Sequence, residues 1–197
     1  MGTSILHVLF SVFYLAMFGI RLLSWRTAVR AEGDVQLREG KLSLVVRAVL
    51  GLGYIGALLV YVFFPSILAW AAFALPSWLR WIGAGITAAA LLLLAWVQWS
   101  LGKNFNTTLH LREGHTLVIS GPYRWVRHPM YTALFLLGVG FLLLTANWFV
   151  GGPLIVALPV LVAMRVSDEE AMMIEQFGNE YQGYMRRTGR FLPRLRA

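Results

Sequence analysis

Residues 121–164 read GPYRWVRHPMYTALFLLGVGFLLLTANWFVGGPLIVALPVLVAM, and how this stretch is read decides the fold. Residues 130–145 and 148–164 are two uncharged apolar runs separated by the turn former Asn147. As helices each is about 25 Å long, somewhat short for a hydrocarbon core of about 30 Å. They are therefore expected to form a tight helical hairpin in a membrane. Gly151, Gly152, Pro153 and Pro159 should loosen or kink its second arm. Just ahead of the hairpin, Gly121 to Tyr131 gathers turn formers, Arg124, Arg127, His128 and two tyrosines at the mouth of an apolar segment. Ionisable groups at membrane depth are costly, so their concentration there suggests a site rather than a plain loop.

Composition agrees with a membrane protein. Of 197 residues, 58% are hydrophobic and 13% charged, and mean hydropathy is +0.67, far outside the soluble range. There is no cysteine, which excludes disulfides, zinc–cysteine sites and a thiol nucleophile. Lysine and arginine number 17 against 9 acids. In a membrane protein that excess reports orientation and lipid contact, and no basic tail or aromatic–basic platform points to nucleic acid.

Outward from the hairpin, the reading is all-α with about five transmembrane helices. The first is Ile5–Leu23, with His7 near one interface and Arg21 expected to snorkel to the other. No basic n-region or cleavage site precedes it, so it is expected to stay. The second covers 44–64 and contains Gly51, Gly53 and Gly56 in a dinucleotide-binding spacing. Inside an apolar helix, with no strand ahead of it, that pattern reads as small residues at a helix crossing. Residues 66–75 are too short to cross and read as an interfacial or re-entrant piece. The third span is 78–101, with Trp78, Trp81, Trp96 and Trp99 as interface anchors. A small β-hairpin is expected around 107–119. After the apolar hairpin, Ser167 with Glu170 three residues on reads as the cap of a separate amphipathic helix over 168–187.

Basic residues occupy the connectors 24–43 and 102–128 and the C-terminal stretch, whereas 65–77 and 145–148 carry none. The positive-inside rule then puts the N-terminus outside and both candidate site regions on the cytoplasmic side. The whole of 1–197 reads as one membrane domain, with spans one to three over 1–101 and a site-bearing core over 102–193.

Two clusters have chemical potential. At Arg127-His128-Pro129 a helix start offers free backbone N–H groups to an anion, although turn residues and interface cations explain the motif equally well. Arg165 and Glu169 have the spacing of an ordinary ion pair, and Glu169-Glu170 that of a stabilised helix start. Their place directly after a membrane run, on the same side as His128, favours function. His110 and His115 lack the spacing of metal ligands, so no metal is expected.

In order, Gly114 to Val118, Gly121 to Tyr131, the apolar hairpin, Arg165 to Glu170, Phe177 to Tyr181 with Tyr184, and Thr188 to Pro193 resemble the isoprenylcysteine carboxyl methyltransferase family. They resemble more loosely the phospholipid methyltransferases of the same superfamily. The resemblance implies a membrane enzyme that moves the methyl of S-adenosyl-L-methionine to a lipophilic acceptor, leaving S-adenosyl-L-homocysteine. His115, Thr116, Leu117, Val118, Tyr123, His128, Pro129, Met130 and Tyr131 match the family's cofactor contacts. Glu169 matches its acidic cofactor contact, His110 falls near a further one, and Arg165 matches the substrate-side arginine. The expected acceptor is an isoprenylcysteine-like carboxylate. A phospholipid N-methyltransferase and, more distantly, a sterol-reductase-like protein are the alternatives. Membrane lipids and a lipophilic or lipidated substrate are the implied partners, and oligomeric state is unknown. The acceptor's tail is expected to enter between the hairpin and the second span, beside Gly138 and Gly140.

Overall fold

The computed structural model describes residues 2–30, 41–102 and 116–194. Among them the chain is helical, and its two β-bridges, Ala72 with Asn147 and Val126 with Gly189, are isolated. Helices α1 (Gly2–Arg30), α2 (Lys41–Phe63), α3 (Ser77–Leu101), α4 (Pro129–Thr145), α5 (Trp148–Phe177) and α6 (Asn179–Arg187) follow in order. A 3₁₀ helix, Pro65–Ala71, joins α2 to α3, and a 3₁₀ turn, Gly121–Arg124, precedes α4. The expected β-hairpin, with His110 and His115, falls mostly outside the described residues, and 116–119 are irregular.

Helices consecutive in the chain run antiparallel where they pack, α1 against α2, α3 against α4 and α4 against α5, and small residues let backbones approach. A Cβ on Gly140 would lie 2.9 Å from the Thr87 amide nitrogen of α3, and one on Gly138 would lie 2.7 Å from the Leu154 Cβ of α5. These two glycines are therefore helix–helix contacts and do not border an open lipid entry. The core is formed where α1, α2, α3 and α4 converge. Phe10, Leu58, Leu94, Leu137 and Phe141 are buried there, and the Phe10 ring meets Phe141 edge-on at 5.0 Å.

Among the described residues, three helices are long and apolar enough to cross a membrane: Ile5–Leu23 within α1, then α3 and α5. A fourth results if Gly51–Phe63 and Pro65–Ala71, which bend by 110° at Pro65, form one broken span. The 3₁₀ helix after the bend covers most of the stretch read from the sequence as a short re-entrant or interfacial piece. α4 is a shorter apolar helix.

Asn147 is the cap of α5, its side-chain oxygen accepting from Phe149 N and Val150 N. The 30 residues of α5 extend about 45 Å, well beyond a hydrocarbon core of about 30 Å. Its charged last turns therefore project past the apolar layer. α5 also runs unbroken through Pro153 and Pro159 and through Ser167. The separate helix expected from 168 is thus corrected: nothing between Met164 and Phe177 breaks the helix. The break comes at Gly178, whose φ of +51° suits glycine, and α6 starts beyond it.

Candidate functional site

The site forms where the start of α4, the projecting end of α5 and the segment after α6 come together. Its frame is backbone. Arg127 N donates to Gly189 O (2.9 Å), Gly189 N to Trp125 O (3.2 Å) and His128 N to Arg190 O (3.0 Å). Thr132 Oγ1 donates to Phe191 O at 2.7 Å. From below, the Tyr184 hydroxyl of α6 donates to Tyr123 O at 2.6 Å. Burial pushes that hydroxyl up to about 12, with Arg127 and Thr188 opposing, so it remains a donor at neutral pH. Residues 188–192 are in this way clasped onto the helix start that the sequence singled out.

Inside the frame, adjacent carboxylates on α5 take different partners, because consecutive helical residues point about 100° apart. Glu170, 5% exposed, receives Arg127 Nε at 2.9 Å and a two-nitrogen contact from Arg190. Arg127 Nη1 also donates to Thr188 O (2.6 Å) and Met185 O (3.1 Å). Glu169, 21% exposed, accepts from the Tyr131 hydroxyl at 2.6 Å and faces Arg165 Nη2 at 3.3 Å, one helical turn earlier. His128 bridges the two acids, with Nδ1 3.5 Å from Glu169 and Nε2 3.3 Å from Glu170. A neutral imidazole donates to one of them and a protonated imidazole to both. The His128 ring also stacks on Tyr131 at 5.8 Å.

Of the sequence-based candidates, the structure brings His128, Tyr131, Arg165 and Glu169 into one hydrogen-bonded group. Pro129 and Met130 form the first turn of α4. Met130 faces α1, where its sulfur lies 3.9 Å from Arg21 Nη1. Tyr123 is buried in the 3₁₀ turn, Leu117 and Val118 are half-buried and Thr116 is exposed. His110 and His115 lie outside the described residues. No group of three or more metal-ligating side chains occurs among the described residues.

Sequence reasoning missed the Glu170 half of the site. Glu170 was read as a cap partner of Ser167, whereas it is the buried acceptor for Arg127 and Arg190. Its signal was the i, i+4 spacing from Val166, which is also buried, and which puts Glu170 on the inward face. A cavity of about 550 Å³ was missed as well. It lies between α4, α5 and the clasp, with Phe135, Leu158, Val162 and Phe191 as apolar wall and Tyr131 and Arg190 among its polar residues. No α2 residue is among those lining it.

Residues 81–175 match the isoprenylcysteine carboxyl methyltransferase (ICMT) family. The chain is 31% identical over 125 residues to the protein-S-isoprenylcysteine O-methyltransferase of Mus musculus, covering 61% of this chain and 44% of the mouse protein. The Rattus norvegicus enzyme of the same name is 32% identical over 123 residues, covering 57% of this chain and 43% of the rat protein. The chain thus spans less than half the length of these relatives. Among solved structures, that of the eukaryotic intramembrane Ras methyltransferase ICMT is similar, with a TM-score of 0.54 and 25% identity. That likeness covers 79% of this chain and 53% of the other. With its apolar helices, the chain is an integral membrane protein, and its motifs, relatives and fold are similar to those of the ICMT family.

Proposed function

We propose that this protein is an integral membrane, S-adenosylmethionine-dependent methyltransferase acting on the carboxylate of an isoprenylcysteine-like lipophilic acceptor. The observation that carries the reading is the docking of Arg127 to Tyr131 onto Glu169 and Glu170, within a segment matched to the family. The donor set suits the amino-acid end of the cofactor. Glu169 is the more exposed acid and is available to an ammonium, whereas Glu170 is held by two guanidiniums. The first-turn N–H groups of α4 suit a carboxylate, and the His128 and Tyr131 rings offer faces beside them. The same reading assigns Thr116, Leu117, Val118, Tyr123, Pro129 and Met130 to the cofactor's surroundings, with His110 and His115 as further contacts.

S-adenosylmethionine supplies an electrophilic methyl on a sulfonium. An acceptor carboxylate is already ionised at neutral pH, so the chain does not need to remove a proton from it. The work left to its residues is positioning and exclusion of water. Arg165 orients the acceptor from the turn preceding Glu169, and the apolar walls beside Tyr131 keep water out.

The reading also has five crossings, with α2 and the short α4 completing the set and the N-terminus outside. The antiparallel order puts the end of α3, the start of α4 and the end of α5 at one end of the bundle. The basic connectors support assigning that end to the cytoplasm, where the cofactor is available.

The test is calorimetric titration of S-adenosylhomocysteine into detergent-purified protein. Binding by the wild type, weakened at least about tenfold in Glu169→Ala without a change in melting temperature, is expected. A folded wild type that binds nothing, with or without a prenylcysteine analogue, overturns the proposal. Turnover assays offering that analogue and phosphatidylethanolamine side by side then separate carboxyl from amine acceptors.

A further inference from the structure

The cavity and the ion-pair network meet at one residue, Arg190, which lies beyond the family-matched segment. Arg190 is the only charged residue lining the cavity among the described residues. Its side chain is 43% exposed although it is paired with a carboxylate 5% exposed. The pairing is side-on, through Nε and Nη2 to the two oxygens of Glu170. Such a contact fixes the plane of the guanidinium and directs Nη1, at the opposite edge of the fork, away from Glu170.

The charge balance points the same way. Arg127, Arg165 and Arg190 set three positive charges against the two of Glu169 and Glu170, leaving the network one positive charge in excess when His128 is neutral. Of the other polar side chains lining the cavity, Tyr131 donates to Glu169 and Thr132 to Phe191 O, and Ser167 carries no charge. Beyond them the wall is apolar, and the volume lies in the range of small-molecule pockets. A charged rim over an apolar trough fits an amphiphile with an anionic head.

We infer that Arg190 is a specificity-determining residue that selects acceptors with an anionic head, the apolar chain lying in the trough between α4 and α5. This rests on the methyltransferase reading for the identity of the acceptor, but not for the binding itself. Glu170 then acts as a positioning residue, holding the Arg190 fork at the trough's rim.

The experiment measures binding of N-acetyl-S-farnesylcysteine and of its carboxamide to detergent-purified wild type and Arg190→Gln, with S-adenosylhomocysteine titrated in parallel. Wild type is expected to favour the acid by about tenfold. In Arg190→Gln the preference should fall to within about twofold while carboxamide and S-adenosylhomocysteine affinities persist. A folded Arg190→Gln that keeps the acid preference overturns the inference, even if S-adenosylhomocysteine binds normally. Loss of the preference in a protein that never binds S-adenosylhomocysteine sustains the inference and sinks the methyltransferase reading instead. Should Arg190→Gln not melt cooperatively, Phe135→Trp decides. Filling the trough should weaken both amphiphiles and leave the acid preference intact, and unchanged affinities overturn the assignment.

Discussion

The two ends of the helical bundle both bury polar side chains, but they satisfy them differently. At the end away from the candidate site the partners are backbone. His7 Nε2 meets Val62 O at 3.0 Å, Arg80 Nε donates to Leu144 O at 3.0 Å, and Asn147 Nδ2 donates to Leu68 O at 2.8 Å. Each of these bonds closes a helix end or the bend at Pro65, where carbonyls would otherwise be left without donors in an apolar layer. At the site end, bonds to carbonyls from Arg127, Thr132 and Tyr184 are joined by contacts from side chain to side chain among Arg127, His128, Tyr131, Arg165, Glu169, Glu170 and Arg190, with a cavity alongside. Bonds to carbonyls leave nothing for a ligand to exchange, whereas ion pairs with partly exposed members can be re-partnered. Burial of polar groups alone therefore does not mark a site in this molecule; the kind of partner does.

The strongest way to break this contrast is Gly189→Ala. A Cβ there would fall inside the van der Waals shell of the Leu192 carbonyl oxygen, and the clasp that frames the site would have to open. A loss of about 3 kcal/mol in stability is expected, together with a large fall in S-adenosylhomocysteine affinity. Thermal melts and calorimetry on the same preparation check both. A variant that melts early yet binds normally would show that the clasp holds the fold without shaping the site.

Asn147→Ala is the counterpart at the other end. It removes the α5 cap, with bonds of 3.0 and 3.2 Å, and the bond to Leu68 O. The expected loss is about 2 kcal/mol, with S-adenosylhomocysteine affinity unchanged. Coupled losses in this variant would mean that the two ends are not energetically separate, and the contrast would fail.

How much of this was legible beforehand follows the same division. Asn147 between two apolar runs marked the hairpin turn, and the folded chain uses it as a cap. The spacing of Arg165 and Glu169 gave their ion pair, and the crowded Gly121–Tyr131 stretch marked the helix start that packs on it. Glu170 and Arg190 were not legible as partners. They meet only because Gly178 turns the chain after α5 and residues 188–192 fold back on α4, a register that local periodicity does not encode. For the same reason Gly138 and Gly140 read as room for a lipid: one strand of sequence shows a missing side chain, not the neighbouring helix that fills the space. The cap at 167 failed because cap signals are local, and here the helix continues past them.

The smallest effect should come from Ala146→Gly, which tests whether backbone geometry dominates the far end. Ala146 has φ 50° and ψ 43°, a left-handed conformation costing an L-residue about 1–2 kcal/mol, and its carbonyl accepts from Phe73 N at 2.9 Å. Glycine removes that strain. It also deletes a buried methyl worth about 0.8 kcal/mol and loosens the unfolded chain by about 0.4–1 kcal/mol. These terms nearly cancel, so the melting temperature should move little and binding not at all. A clear gain in stability would mean that the turn is strained and held by the Asn147 cap and the Phe73 bond. A clear loss would mean that the Ala146 methyl packs more tightly than its turn position suggests, and that side-chain packing governs this end too.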